Sequence, residues 1–170
     1  MSRIAIVEMA ASEVGEYQAF LNEGLIRDEE SFRITPADDA SSGFPTEGRS
    51  DSFTLAARVD GALAAVVSFE REGKSREKLR HKGLLFRMYV HGDFRGQGIG
   101  RKLIEAVVAR ASNLAGIEQI NLTVIADNLG AKRLYEKLGF EAFATEYNAI
   151  KWKGKYFAEN QMALRLKRHE

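Results

Sequence analysis

From Leu84 to Leu103 the chain reads Leu-Leu-Phe-Arg-Met-Tyr-Val-His-Gly-Asp-Phe-Arg-Gly-Gln-Gly-Ile-Gly-Arg-Lys-Leu, and this stretch limits what the rest can become. Leu84 to Val90 is apolar and aromatic apart from Arg87 and has no helix breaker, which predicts a mostly buried strand. Gly92 and Asp93 mark a turn. Gly96, Gly98 and Gly100 then alternate with Gln97 and Ile99, and from Ile99 the apolar Leu103, Ile104, Val107, Ala111 and Leu114 recur at helical spacing. A helix opening after such a turn presents its first N–H groups unpaired, at the positive end of its dipole, where an anion fits. Glycines let the backbone approach a bulky phosphate, and Arg95 and Arg101 add positive charge on either side. The predicted ligand carries a pyrophosphate.

Spacing separates the phosphate-binding motifs. A P-loop needs Gly, four residues and Gly-Lys-Ser/Thr; here Arg101 falls five positions after Gly96 and Lys102 is followed by Leu103, which leaves no hydroxyl for magnesium. The evenly spaced glycines also miss the Gly-x-Gly-x-x-Gly dinucleotide pattern. What remains is Arg-x-x-Gly-x-Gly, as Arg95, Gly98 and Gly100, directly after a strand ending Met88-Tyr89-Val90. Further on, Asn128 to Phe140 reads Asn-Leu-Gly-Ala-Lys-Arg-Leu-Tyr-Glu-Lys-Leu-Gly-Phe, which fits Asn-x-x-Ala-x-x-Leu-Tyr-x-x-x-Gly-Phe at every position. These two motifs resemble those of the GNAT superfamily of N-acetyltransferases, specifically from Leu84 to Phe140 and by order of elements elsewhere. The bland reading of the first, a glycine-rich surface turn, does not account for the second.

At 170 residues the chain is the size of one domain, and we read residues 1–170 as a single unit. With 25 Lys and Arg against 24 Asp and Glu, there is no general electrostatic reason to bind nucleic acid or an anionic membrane. No cysteine is present, which removes disulfides and thiolate chemistry, and the scattered His81, His91 and His169 predict no metal site. The apolar run near the N-terminus is too short for a signal peptide and no stretch approaches ~20 apolar residues, so the expectation is a soluble cytoplasmic protein.

Along the rest of the chain, Ile4 to Val7 predicts a strand and Ala10 to Ile26 a helix with Ser12 as its cap. Arg27 to Arg33 predicts a short helix, followed by a polar loop to Asp51. Ser52 to Val59 and Ala62 to Phe69 flank Asp60-Gly61, a strong hairpin signal. Glu70 to Lys82 is a charged connection. Gln119 to Ala126 predicts a strand parallel to the Leu84 strand, and Asp127-Asn128 caps a helix that Gly139 ends. Phe140 to Tyr147 and Tyr156 to Leu166 predict a closing hairpin around Lys153-Gly154-Lys155. The expected class is α+β: a mixed, mostly antiparallel sheet of six to seven strands flanked by about four helices, with one parallel pair that the resemblance implies is splayed at the cofactor site.

The resemblance also implies a chemistry, direct transfer of acetyl from acetyl-CoA to an amine with no covalent enzyme intermediate. Its pantetheine arm would pair with the backbone of Met88, Tyr89 and Val90, its pyrophosphate would sit on Arg95, Gly96, Gln97, Gly98, Ile99, Gly100 and Arg101, and Asn128 would bond the pantetheine region. Tyr135 would be the general acid for the leaving thiolate, and a backbone N–H at a bulge near Met88 to Val90 the oxyanion donor. The base is expected to be Glu70 or a water relay past Thr123, which stands where members acting on protein N-termini carry Glu. Phe32 and Phe44, with Trp152, Tyr147 and Tyr156, are candidates for the acceptor side. The acceptor is expected to be a small-molecule amine or a peptide amino group, and the family allows a homodimer through the final hairpin. A non-catalytic acetyl-CoA-binding regulatory module is the alternative.

Overall fold

The computed structural model describes residues 1–73 and 76–167, so His169 and part of the charged connection lie outside the described residues. Eleven principal elements follow in order: β1 (Ile4–Met9), α1 (Val14–Arg27), α2 (Pro36–Ser42), β2 (Ser52–Val59), β3 (Ala62–Arg71), β4 (Lys82–Val90), α3 (Ile99–Ser112), β5 (Gln119–Ile125), α4 (Leu129–Lys137), β6 (Glu141–Trp152) and β7 (Lys155–Arg165). The seven strands form one sheet in the order β1-β2-β3-β4-β5-β7-β6. All neighbours are antiparallel except β4 and β5, the predicted parallel pair.

Alternation along the strands sends side chains to two cores, one on each face. On one face Tyr17, Phe20, Leu21 and Leu25 of α1 pack on Met9, Ala56, Val66 and Tyr89. On the other, Ile99, Leu103, Ile104, Val107 and Ala111 of α3 and Tyr135 of α4 pack on Phe53, Val67, Leu85, Ile120 and Leu122. Strand β4 and the start of α3 therefore rest on a filled core.

Two expectations change at the N-terminal end. Ser12 does not cap the first helix; it lies inside a 3-10 turn, Ala11–Glu13, and the Ala10 N–H donates instead to the Glu13 carboxylate at 2.8 Å. Arg27 to Arg33 is no separate helix either: α1 runs on to Arg27 and a single 3-10 turn, Glu29–Ser31, follows. The helical segment lies further on, within the supposed loop. At α2 the Thr35 hydroxyl accepts the Asp38 N–H at 3.2 Å, the Asp38 carboxylate accepts the Thr35 N–H at 2.8 Å, and Pro36 occupies the first turn.

Candidate active site

The parallel ladder between β4 and β5 is short. It consists of Lys82 opposite Gln119, Gly83 opposite Ile120 and Leu84 opposite Asn121, after which the strands part. The departure has a visible cause in β4, where Phe86 faces Ser68 and Tyr89 faces Val66, so Arg87 and Met88 together face Val67. This is a β-bulge, and Arg87 within it takes a φ of 50°, the left-handed region. The bulge bends the strand and opens a cavity of about 660 Å³ between β4 and β5.

The glycine-rich turn forms one end of that cavity. Gly98 precedes α3 with a φ of 74° and Gly96 has 76°, both unfavourable for any other residue. A side chain at either would meet nothing within 4 Å, so the turn also leaves open room. The first helical N–H bond of α3 runs from Lys102 to the Gly98 carbonyl at 3.1 Å, which leaves the N–H groups of Ile99, Gly100 and Arg101 without a helical acceptor. Gly100 has a different role: a Cβ there would come within 3.2 Å of Leu134 and 3.3 Å of Met88 and Val90, so it lets α3 begin close against β4 and α4. Free helix N–H groups, open space and adjacent cations suit a diphosphate.

Of the expected cofactor residues, Met88, Tyr89 and Val90 line the cavity from β4, and Gly96, Gly98 and Ile99 from the turn. Gly100, Arg101 and Asn128 complete that group, and the expected acid Tyr135 joins them, whereas Gln97 is exposed and does not line the cavity. Arg95 lines it too, but acts as a staple: its Nε donates to the Val90 carbonyl at 3.0 Å and a terminal nitrogen donates to Asp28 at 2.9 Å. Arg101 pairs with Glu105 one turn along α3 at 2.8 Å. The Asn128 carboxamide oxygen caps α4 by accepting the Ala131 N–H at 3.3 Å.

Tyr135 is fully enclosed, edge-on to Phe140 at 5.7 Å, and burial raises its phenol pKa far above the ordinary value. It holds its proton at every physiological pH while lining the cavity. Glu70 is elsewhere, opposite Leu84 at the closed end of the parallel ladder, and is absent from the cavity lining, which Thr123 does join. The opening develops toward Val90, away from Glu70.

A second hollow of about 220 Å³ adjoins the first through Phe32, Arg33, Ile34 and Ile125. Ile150, Trp152 and Phe157 wall it, and the hairpin tip is tied to the 3-10 turn after α1 by Lys153 on Glu29 at 2.8 Å and Lys155 on Glu30 at 3.3 Å. Of the expected acceptor-side aromatics, Phe32 and Trp152 line this hollow. Phe44 packs edge-on to Tyr17 at 5.3 Å, and Tyr147 and Tyr156 project into solvent.

Sequence reading missed two ion pairs on buried carboxylates beside the cavity, Arg87–Asp39 and Arg33–Glu159, each at 2.6 Å; the Arg87 guanidinium is largely buried, whereas that of Arg33 is exposed. Arg87 had a signal, as the one charge in an otherwise apolar strand. Asp39 and Glu159 had none, because only the tertiary fold buries them. Burial raises both carboxyl pKa values, and the facing guanidinium in each case opposes that rise. Among the described residues no group of His, Asp and Glu is arranged to hold a metal, and no helix is long and apolar enough to cross a membrane.

Residues 17–140 match a family model described as acetyltransferase (GNAT) family. A spermine/spermidine N(1)-acetyltransferase of Bacillus subtilis is 30% identical over 57 residues, which is 34% of this chain and 38% of that protein. A mycothiol acetyltransferase of Propionibacterium freudenreichii is 29% identical over 110 residues, 65% of this chain and 34% of that one. The chain thus matches little more than a third of the length of either relative. A Salmonella typhimurium protein solved with its cofactor acetyl-CoA superposes with a TM-score of 0.75 at 19% identity, covering 99% of this chain and 97% of that one.

Proposed function

The chain belongs to the acetyltransferase (GNAT) family, and from that premise we propose that it is an N-acetyltransferase that moves acetyl from acetyl-CoA directly onto a primary amine, residues 1–170 forming one catalytic unit. The observation that carries this reading is the opening of β4 from β5, which places the free N–H groups of α3 and the buried Tyr135 phenol on one cavity. The hollow walled by Phe32 and Trp152 receives the acceptor. Names borne by the relatives, for spermine and for mycothiol, fit an amine acceptor and leave its class open.

Acetyl-CoA would supply a thioester whose carbonyl carbon bonds to the amine nitrogen while the carbon–sulfur bond breaks and its electron pair leaves on sulfur. The N–H groups at the start of α3 hold the diphosphate, and Gly96 and Gly98 keep space for it. The bulge releases a backbone N–H near Met88 from the β3 ladder, which offers a donor to the carbonyl oxygen as charge develops there. Tyr135 gives its proton to the departing sulfur. With Glu70 away from the cavity, the acceptor nitrogen loses its proton to a water held near Thr123, and that proton restores the phenol through solvent.

Thiol release from acetyl-CoA across amines, beside calorimetric binding of acetyl-CoA, tests this. Tyr135→Phe should lower kcat by about 10² while the dissociation constant for acetyl-CoA stays within about twofold. Unchanged turnover in that variant removes the assigned acid. Tight binding with no turnover on any amine favours the regulatory module instead.

A further inference from the structure

Arg87 is placed at some cost. The bulge holds it at a φ of 50°, a left-handed conformation that disfavours any residue with a side chain. Its guanidinium is only 17% exposed, and Nη1 donates to Asp39, itself 3% exposed, at 2.6 Å. Beside it lies the fully buried Tyr17 hydroxyl, whose polar neighbours are Arg87 and Ser68. A chain of buried hydroxyls, Thr46 to Thr54 to Ser68 with 2.8 Å at each step, backs this corner. Asp39 engages one edge of the fork. One N–H of the guanidinium is taken by Asp39 and the Tyr17 hydroxyl is its neighbour, which leaves further N–H groups beyond those two, and the residue lines the main cavity.

Charge around the two hollows is unevenly spent. Asp28 is taken by Arg95, Asp39 by Arg87, Glu159 by Arg33, Glu29 by Lys153 and Glu30 by Lys155. No carboxylate among these is left over to hold a second ammonium. The guanidinium groups of Arg87 and Arg33, by contrast, are each fixed from behind by a buried carboxylate and still line the cavity. A fixed fork with spare donors suits a carboxylate, which it can bind through two parallel hydrogen bonds.

Resting on the acetyltransferase reading, we infer that the acceptor is an amine bearing a carboxylate a few bonds from the reacting nitrogen, as in a free amino acid, and that Arg87 binds that carboxylate. A polyamine is disfavoured, because its further ammonium groups would meet two guanidinium groups, and the carboxylates that line the hollows, Asp28, Glu29 and Glu30, already hold cations.

The test compares each amino acid of a panel with its decarboxylated amine and its carboxamide, and adds spermidine, all with acetyl-CoA and thiol release as readout. The wild-type chain should give a kcat/KM at least 30-fold higher for one or more amino acids than for the matched amine and amide. Arg87→Met should cut that ratio to within about threefold, chiefly through KM for the acid, and Arg87→Lys should keep part of it. Asp39→Asn loosens the same strut but retains the guanidinium, so it should keep the preference. A wild-type ratio near one, or spermidine as the better acceptor, overturns the inference. So does an equal loss of preference in Asp39→Asn and Arg87→Met, which would make the pair a strut only. Should Arg87→Met not fold, the wild-type ratio decides by itself. Failure of the underlying reading looks different: no acceptor of any class is turned over.

Discussion

At Gly98 the backbone sits at a φ of 74° with nothing within 4 Å of where a Cβ would be, so the cost of a side chain there is conformational and not a clash. Gly98→Ala should lower unfolding free energy by about 1–2 kcal/mol and weaken acetyl-CoA binding several-fold, because the N–H groups of α3 are aimed by that turn. Chemical denaturation and calorimetry measure the two effects separately. Tyr17 offers a pH-dependent counterpart. Its phenol, pushed up to about 12 chiefly by burial, ionises in the unfolded chain near 10 but stays neutral in the folded one. A raised folded pKa means stability that is complete below pH 10 and falls as pH climbs toward 12. The two-unit gap corresponds to roughly 2–3 kcal/mol. Tyr17→Phe should therefore show a shallower loss of stability across that window than the wild-type chain, as read by denaturation midpoints at matched pH values.

Among the elements, α1 depends on Gly24. A Cβ at that position would lie 2.6 Å from the Tyr89 ring, which Phe20 and Phe32 hold at 5.3 and 5.6 Å. The ring cannot step aside, so Gly24→Ala should force α1 away from β4 and destabilise the fold by about 1–3 kcal/mol, with a matching fall in thermal midpoint. What was legible in the sequence divides along similar lines. β4, the glycine turn, α3 and α4 follow from local signals: an unbroken apolar run, left-handed glycines, and Asn128 as a cap. Helix α2 was also written locally, in Thr35-Pro36-Ala37-Asp38, a capping box with proline at its first turn, but the surrounding polar residues hid it. The ion pairs of Arg87 and Arg33 were not legible, because they depend on which distant carboxylate the fold buries. Glu70 shows the same limit from the other side, since its place at the end of the strand before β4 does not say that register sets it opposite Leu84 and outside the cavity lining.

For the molecule as a whole, the sheet is two blocks, β1 to β4 and β5 to β7, joined among the described residues by a ladder of three residue pairs and the adjoining His81 carbonyl. A ligand entering where β4 and β5 part touches both blocks. At a hundredfold excess over its dissociation constant, acetyl-CoA should add about 2.7 kcal/mol of stability, which for a chain of this size raises the thermal midpoint by roughly 5–10 °C. Hydrogen exchange should localise the gain to Leu85–Val90 and Leu122–Ile125, and an even gain over all strands would argue against a ligand seated there. The short ladder has a consequence for the protein's lifetime as well. Proteases act on openings, and a donor seated between β4 and β5 would oppose the parting of the two blocks. A cell poor in acetyl-CoA would thus clear the enzyme faster than one well supplied, and the amount of enzyme would follow the supply of what it spends.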